Sequence, residues 1–152
     1  MKKTTTHEQP LGWLVSKAGG YDLALPVLRV REIVNVSQVV PLPQQAAHMR
    51  GCFMLRERLI PLIDLGYILS GEQQSLDQPV IIVEQGQRRA GLIVESVHQV
   101  IECKANGVQP IPEDAQSQPW LPGIVSTQDG DWLTVDIDKL FAHALGNREG
   151  NA

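Results

Sequence analysis

Long apolar runs are missing from this sequence. The longest uninterrupted stretches of apolar side chains reach four residues, far short of the roughly 20 that a membrane-crossing helix needs. The first ten residues, MKKTTTHEQP, carry two lysines with no apolar stretch behind them, which is not the layout of a secretory signal peptide. We expect a cytoplasmic protein with no direct membrane insertion.

Basic charge is also scarce. The chain has 13 Lys and Arg against 17 Asp and Glu, a formal net charge of −4, so it lacks the positive footprint that nucleic-acid binding usually needs. Aromatic residues make up 5% and form no stripe on which bases would stack; Trp13, Trp120 and Trp132 are better read as core or interface residues. Cys52 and Cys103 sit among apolar neighbours rather than in a spaced framework, which points to free thiols.

Catalytic and metal-binding patterns are absent in the same way. The four histidines include no pair at helical spacing, and Gly51, with the strand expected after it, denies His48 and Cys52 a common helix face. Ser96 and His98 share a strand face but lack the flanking glycines of a nucleophile elbow. Gly19-Gly20 is not followed by the Lys-Ser or Lys-Thr of a phosphate loop. We expect no cofactor, no metal and no enzymatic activity.

What the sequence does contain is a duplication. Gly51 is followed thirteen residues later by Asp64 through Leu59-Ile60-Pro61-Leu62-Ile63, and Gly123 is followed thirteen residues later by Asp136 through Trp132-Leu133-Thr134-Val135. Upstream, Leu14, Val15, Gly19, Leu25, Val27, Val30, Ile33 and Val34 recur at an offset of 67 as Ile81, Ile82, Gly86, Leu92, Val94, Val97, Val100 and Ile101. The later segments match at an offset of 72, with the extra residues assigned to a loop at Glu113 to Pro119. Two copies are too few for a solenoid, and each is small enough to be marginal alone, so the copies should share an interface.

Strand signals dominate both copies. Gly12 to Ser16 with Tyr21 to Leu25, and Pro79 to Glu84 with Ala90 to Glu95, predict two equivalent hairpins. A third hairpin turns at Asp129-Gly130, a dipeptide that suits positive φ; its counterpart at Arg56-Glu57-Arg58 has no glycine. Asp136 predicts a helix cap, with Ile137, Leu140, Phe141 and Leu145 on one face and Gly146 at the end. Asp64 should cap one or two equivalent turns, and a further turn can follow Pro26. Asp64 and Asp136 therefore read as structural capping residues rather than an acid–base pair. Ser70 to Gln78 is a polar connector, and residues 1–10 and 147–152 are expected to be flexible tails. Arg50, Arg56 and Arg58 lie beside Met54 and Leu55, either as a solvated hairpin tip or as a docking surface.

Arg50-Gly51, Leu55-Arg56 and Leu59-Ile60-Pro61-Leu62-Ile63-Asp64-Leu65 resemble the signature hairpin of CheW-like domains. Glu32, the hairpin Val80 to Glu95 with Gly91, and Leu121 to Leu140 follow in the family's order, so the resemblance covers about residues 11–142. It implies a mostly β fold of two SH3-like five-stranded β-barrels with a short C-terminal helix: a first repeat over 11–66, completed by the C-terminal segment, and a second over 78–140. It also implies a non-catalytic adaptor in a bacterial chemosensory array, under the inner membrane. The partners would be the cytoplasmic tip of a methyl-accepting chemoreceptor and the regulatory domain of a CheA-type histidine kinase.

Carried over by position, Glu32 and Arg56 would form an ion pair near the receptor groove, and Val27, Val30 and Gly51 would line it. Ile82, Gly91 and Ile93 would lie toward the kinase. The family usually has Asn and Gly where this chain has Met54 and Glu57. Loss of that glycine predicts a different turn at the hairpin tip and a dedicated or pilus-type partner. The competing expectation is a stand-alone small-molecule- or nucleic-acid-binding barrel, which would show a deep pocket where an adaptor shows an exposed apolar patch.

Overall fold

The computed structural model describes residues 10–146; the expected tails at 1–10 and 147–152 lie outside it except for Pro10, which begins the first strand. Eleven strands form two sheets among the described residues. The first hairpin pairs β1 (Pro10–Ala18) with β2 (Tyr21–Pro26). Its turn is Gly19-Gly20, with φ of +59° and +86°, the left-handed pair that a two-residue hairpin loop needs and that glycine adopts without strain. A 3₁₀ turn at Val27–Arg29 follows Pro26 and leads into β3 (Val30–Val34). The second hairpin joins β4 (Met49–Leu55) to β5 (Arg58–Asp64), then helix α1 (Leu65–Ser70). The second copy repeats the plan as β6 (Val80–Gln85), β7 (Arg88–Ile93), β8 (Ser96–Lys104), a short β9 (Val108–Pro110), β10 (Gly123–Thr127), β11 (Gly130–Thr134) and helix α2 (Ile137–Leu145).

The sheets do not follow the copies. One sheet runs β8-β1-β2-β11-β10-β9 and the other β3-β6-β7-β5-β4, so each copy's first hairpin is inserted into the sheet of the other copy. The exchange is symmetric down to the register. Thr134 pairs with Ala24 across the parallel β11–β2 contact, and Leu62, its equivalent, pairs with Gly91 across β5–β7. The sheets accordingly comprise residues 30–93 on one side and 10–26 with 96–134 on the other, rather than 11–66 and 78–140. The physical reason is burial: a hairpin that crosses to the partner sheet is covered on both faces, and the two marginal copies become one hydrophobic unit.

Three apolar clusters result. The largest lies between the sheets and draws Leu14, Leu25, Ile63, Ile81, Leu92 and Trp120 from both, closed on one side by Ile137, Leu140 and Phe141 of α2. The 30–93 sheet has its own interior around Phe53, Ile60, Leu62 and Ile82, and the other sheet has one around Trp13, Val125 and Trp132. The two internal clusters fill equivalent positions with different shapes: Phe53 and Ile60 in one sheet stand where Val125 and Trp132 stand in the other.

Helix α2 obeys its sequence signals. Asp136 accepts a hydrogen bond from the Lys139 amide at 3.0 Å, and Gly146 ends the helix at φ +79°. Asp64 caps α1 in the same way, accepting from the Tyr67 amide at 2.9 Å. It also receives Arg50 and the Gln74 amide, each at 2.9 Å. The buried Asp64 carboxylate thus ties together β4, α1 and the polar connector.

Candidate docking surfaces

Two separate surfaces leave apolar side chains uncovered. The first lies where the sheets meet. The 3₁₀ turn Val27–Arg29 packs over β1: a Cβ placed at Gly12 would stand 3.6 Å from Val27 and 3.9 Å from Val100 of β8. Val27, Val30 and Val97 lean on the inter-sheet core, and Leu28 projects outward at 89% exposure. Arg29 holds this turn in place through paired hydrogen bonds to Asp138 of α2, at 2.8 and 3.1 Å. That contact, with a second donor from Gln85, keeps the Asp138 carboxyl below its ordinary range. The family resemblance put Val27 and Val30 here but passed over Leu28 and Val100: Leu28 lies outside the repeated apolar positions, and Val100, though one of them, carries no sign in the sequence that it is exposed.

The second surface lies on the outer side of the 30–93 sheet. A trough of about 570 Å³ runs between Leu42, Met49, Leu59, Pro61 and the end of α2 at Leu145, with Arg58, Arg88 and Arg89 along its border. Leu59 is 66% exposed. Its alternation with buried Ile60 and Leu62 was hidden in the sequence, because Leu59-Ile60-Pro61-Leu62-Ile63, with apolar residues on both sides of Pro61, does not reveal which face points out. His48 donates from Nε2 to the Ala144 carbonyl at 2.9 Å, so it serves α2 and not Cys52.

Between the two surfaces stands the ion pair of Glu32 on β3 with Arg56 at the β4–β5 tip. β3 and β4 are opposite edges of their sheet, so this pair spans the seam where the sheet curls toward closure. Val40, in the chain leaving β3, completes the seam by bridging Cys52 of β4 through two backbone hydrogen bonds, 2.8 and 2.9 Å. The hydrogen bond from Arg56, helped by the charges of Arg56, Arg31 and Arg89, outweighs desolvation and holds the Glu32 carboxyl below its ordinary range.

Three expectations need correction. Ile82 and Ile93 are fully buried. A Cβ at Gly91 would meet Val80 at 2.7 Å and the Phe53 ring at 3.1 Å. β6 and β7 are the covered central strands of their sheet, so these three residues build its interior and present no direct face to a partner. Gly51 is also buried, with φ of +119°, and its absent Cβ leaves room for the Val40 carbonyl, which would stand 2.2 Å away. It is a closure glycine whose backbone borders the trough. Finally, the hairpin tip keeps a left-handed turn without glycine: Leu55 pairs with Arg58 around a two-residue loop in which Arg56 and Glu57 have φ of +48° and +71°.

Among the described residues no group of three or more His, Cys, Asp and Glu side chains converges. Ser96 Oγ and His98 Nε2 lie 2.9 Å apart on the exposed side of β8, with no ion-paired carboxylate beside them. Among the described residues no helix is long and apolar enough to cross a membrane.

The chain was compared with known proteins. The CheW-like domain family matches residues 12–145. A chemotaxis protein CheW from Klebsiella aerogenes is 28% identical over 134 residues, covering 86% of this chain and 81% of the relative. Protein PilI from Pseudomonas aeruginosa is 27% identical over 140 residues, covering 88% and 74%. The crystal structure of the scaffolding protein TtCheW from Thermoanaerobacter tengcongensis superposes with a TM-score of 0.75 at 30% identity, over 84% of this chain and 89% of that one.

Proposed function

The chain belongs to the CheW-like domain family, and from that premise we propose that it is a non-catalytic adaptor that couples chemoreceptors to a CheA-type histidine kinase. The system is a flagellar chemotaxis or type IV pilus-like one; the likeness to PilI fits the second. The adaptor works in the cytoplasm, beneath the inner membrane that holds the receptors. The observation that carries this reading is the pair of uncovered apolar faces, one narrow and one broad, on a single hydrophobic unit.

The narrow face at Val27, Leu28, Val30 and Val100 suits the apolar stripe of a receptor-tip helix. The broad trough around Leu42 and Leu59, bordered by the β6–β7 hairpin, suits the barrel of a kinase regulatory domain. A receptor helix that shifts in the first face changes the kinase held at the second only if the two bound states differ in free energy. The shared inter-sheet core is the physical link between them.

The test is a titration against both partners from the same genome, the receptor tip and the kinase regulatory domain. Leu28→Glu should weaken receptor binding and spare the kinase, and Leu59→Glu should do the reverse; about tenfold or more is expected for a central apolar anchor. Absence of saturable binding to either partner by the unmodified protein would sink the adaptor reading. Saturable binding of a small ligand in the trough would favour the alternative of a stand-alone binding barrel.

A further inference from the structure

The trough is cationic on an acidic protein. Its lining contains Arg58, Arg88 and Arg89 and no Asp or Glu, although the whole chain carries a net charge of −4. None of the three arginines makes a salt bridge among the described residues. Arg58 donates to the Gln87 carbonyl at 2.8 Å. Arg88 reaches the Gln85 side chain at 3.3 Å and lies over the Phe141 ring, 5.3 Å from its centroid.

Arg89 is the least satisfied, with a buried Nε that has no partner. The acid opposite it across the β6–β7 ladder is Glu84, and that carboxylate is engaged by Arg31 at 3.2 Å. Glu32, the other nearby acid, is engaged by Arg56. Desolvation, with repulsion from Arg31 and Arg58, lowers the Arg89 pKa from its ordinary value. Two guanidinium groups thus flank the exposed Leu59 with donor capacity unspent, on a surface where the neighbouring acids are already taken. A buried donor without a partner is unfavourable, and a planar guanidinium matches a carboxylate through two parallel hydrogen bonds.

We propose that Arg58 and Arg89 make this trough selective for an acidic partner face, one that sets an apolar knob against Leu59 and Leu42 and brings carboxylates to the two guanidinium groups. The inference rests on the adaptor reading and names the chemistry of the kinase-side partner: a regulatory domain whose contact strand carries Asp or Glu on either side of an apolar residue. Kinase homologues with a neutral or basic contact strand would be rejected, because an unpaired or like charge desolvated at the contact opposes binding.

The experiment is a calorimetric titration of the full chain with the kinase regulatory domain from the same genome, at low and at threefold higher salt. The proteins are the unmodified chain, the double variant Arg58→Gln/Arg89→Gln, and Leu59→Glu. The unmodified protein should lose about tenfold in affinity as salt rises, and the double variant should be about tenfold weaker at low salt with little salt dependence left. Arg58 is exposed and Arg89 half-buried without a salt bridge, so thermal melts should show the double variant folded. If the double variant binds like the unmodified protein at both salts while Leu59→Glu abolishes binding, the acidic-face inference is wrong and the adaptor reading stands. If nothing binds the kinase domain, both fail. Sedimentation of the unmodified protein with phosphatidylglycerol vesicles, lost in the double variant and without kinase binding, would overturn the inference in favour of a membrane surface.

Discussion

The two copies of the repeat solve the same local problems with different residues, and the differences lie where the first copy meets the docking surfaces. Asp64 and Asp136 are equivalent helix caps, yet Asp64 is buried and bound by Arg50 and the connector, whereas Asp136 makes the cap hydrogen bond with Pro122 standing where Arg50 stands in the first copy. Gly51 needs a left-handed backbone and Gly123 does not. The tip Arg56-Glu57 is left-handed at two non-glycine residues, while the equivalent Gln128-Asp129 turn leaves positive φ to Gly130. The second copy is thus conventional, and the first carries buried charge and backbone strain near its exposed arginines. Such strain persists only where the surrounding structure enforces it.

Breaking closure should separate the copies most. Gly51→Ala forces a Cβ into the Val40 carbonyl and should cost about 3 kcal/mol or more. Gly123→Ala, whose Cβ would find its closest atom at 3.0 Å, should cost clearly less. Chemical denaturation of the two variants checks the order.

The caps come next. Asp64→Ala strands Arg50, which is largely buried, and should cost about 3–5 kcal/mol, whereas Asp136→Ala should cost about 1 kcal/mol, the usual value of a lost cap. Equal costs in denaturant melts would mean that the extra partners of Asp64 add nothing.

The hairpin tip gives a smaller effect of opposite sign. Glu57→Gly relieves one left-handed non-glycine residue and should stabilise by about 1 kcal/mol, and Asp129→Gly should give no such gain. Thermal melts of both variants decide it.

The smallest effect belongs to the exposed Glu32–Arg56 pair. Because the folded-state pKa of Glu32 is lowered by Arg56, its stabilising contribution is present above the unfolded carboxylate range and disappears as pH falls through the folded value. Carboxyl NMR should find the Glu32 midpoint below the ordinary range, and Arg56→Gln should return it there. The stability change itself should be slight, as for most surface pairs.

Much of this architecture is legible in the sequence. The offsets of 67 and 72 mark the equivalent elements, Gly19-Gly20 marks a hairpin, and Asp136 with Gly146 brackets α2. The hairpin exchange is not legible, since residues 14–25 carry the same alternating pattern whichever sheet receives them. Burial on both faces misled the reading of Ile82, Gly91 and Ile93, because sequence order brings a strand near a surface without telling whether other strands cover it. The turn at Arg56-Glu57 was misjudged because propensity forbade what the closed sheet imposes. Leu28, Leu42 and Leu59 were unmarked as docking residues, for apolar character alone does not distinguish a covered leucine from an exposed one.

The hairpin exchange also orders assembly in time. Every strand of the 30–93 sheet is available once Ile93 has left the ribosome, whereas β1 and β2, made first, wait for β11 to supply the parallel partner that joins Leu23 to Leu133. Over that interval the β1–β2 hairpin is held without its final neighbour, and its pairing with β11, a contact of long sequence separation, should form slowly.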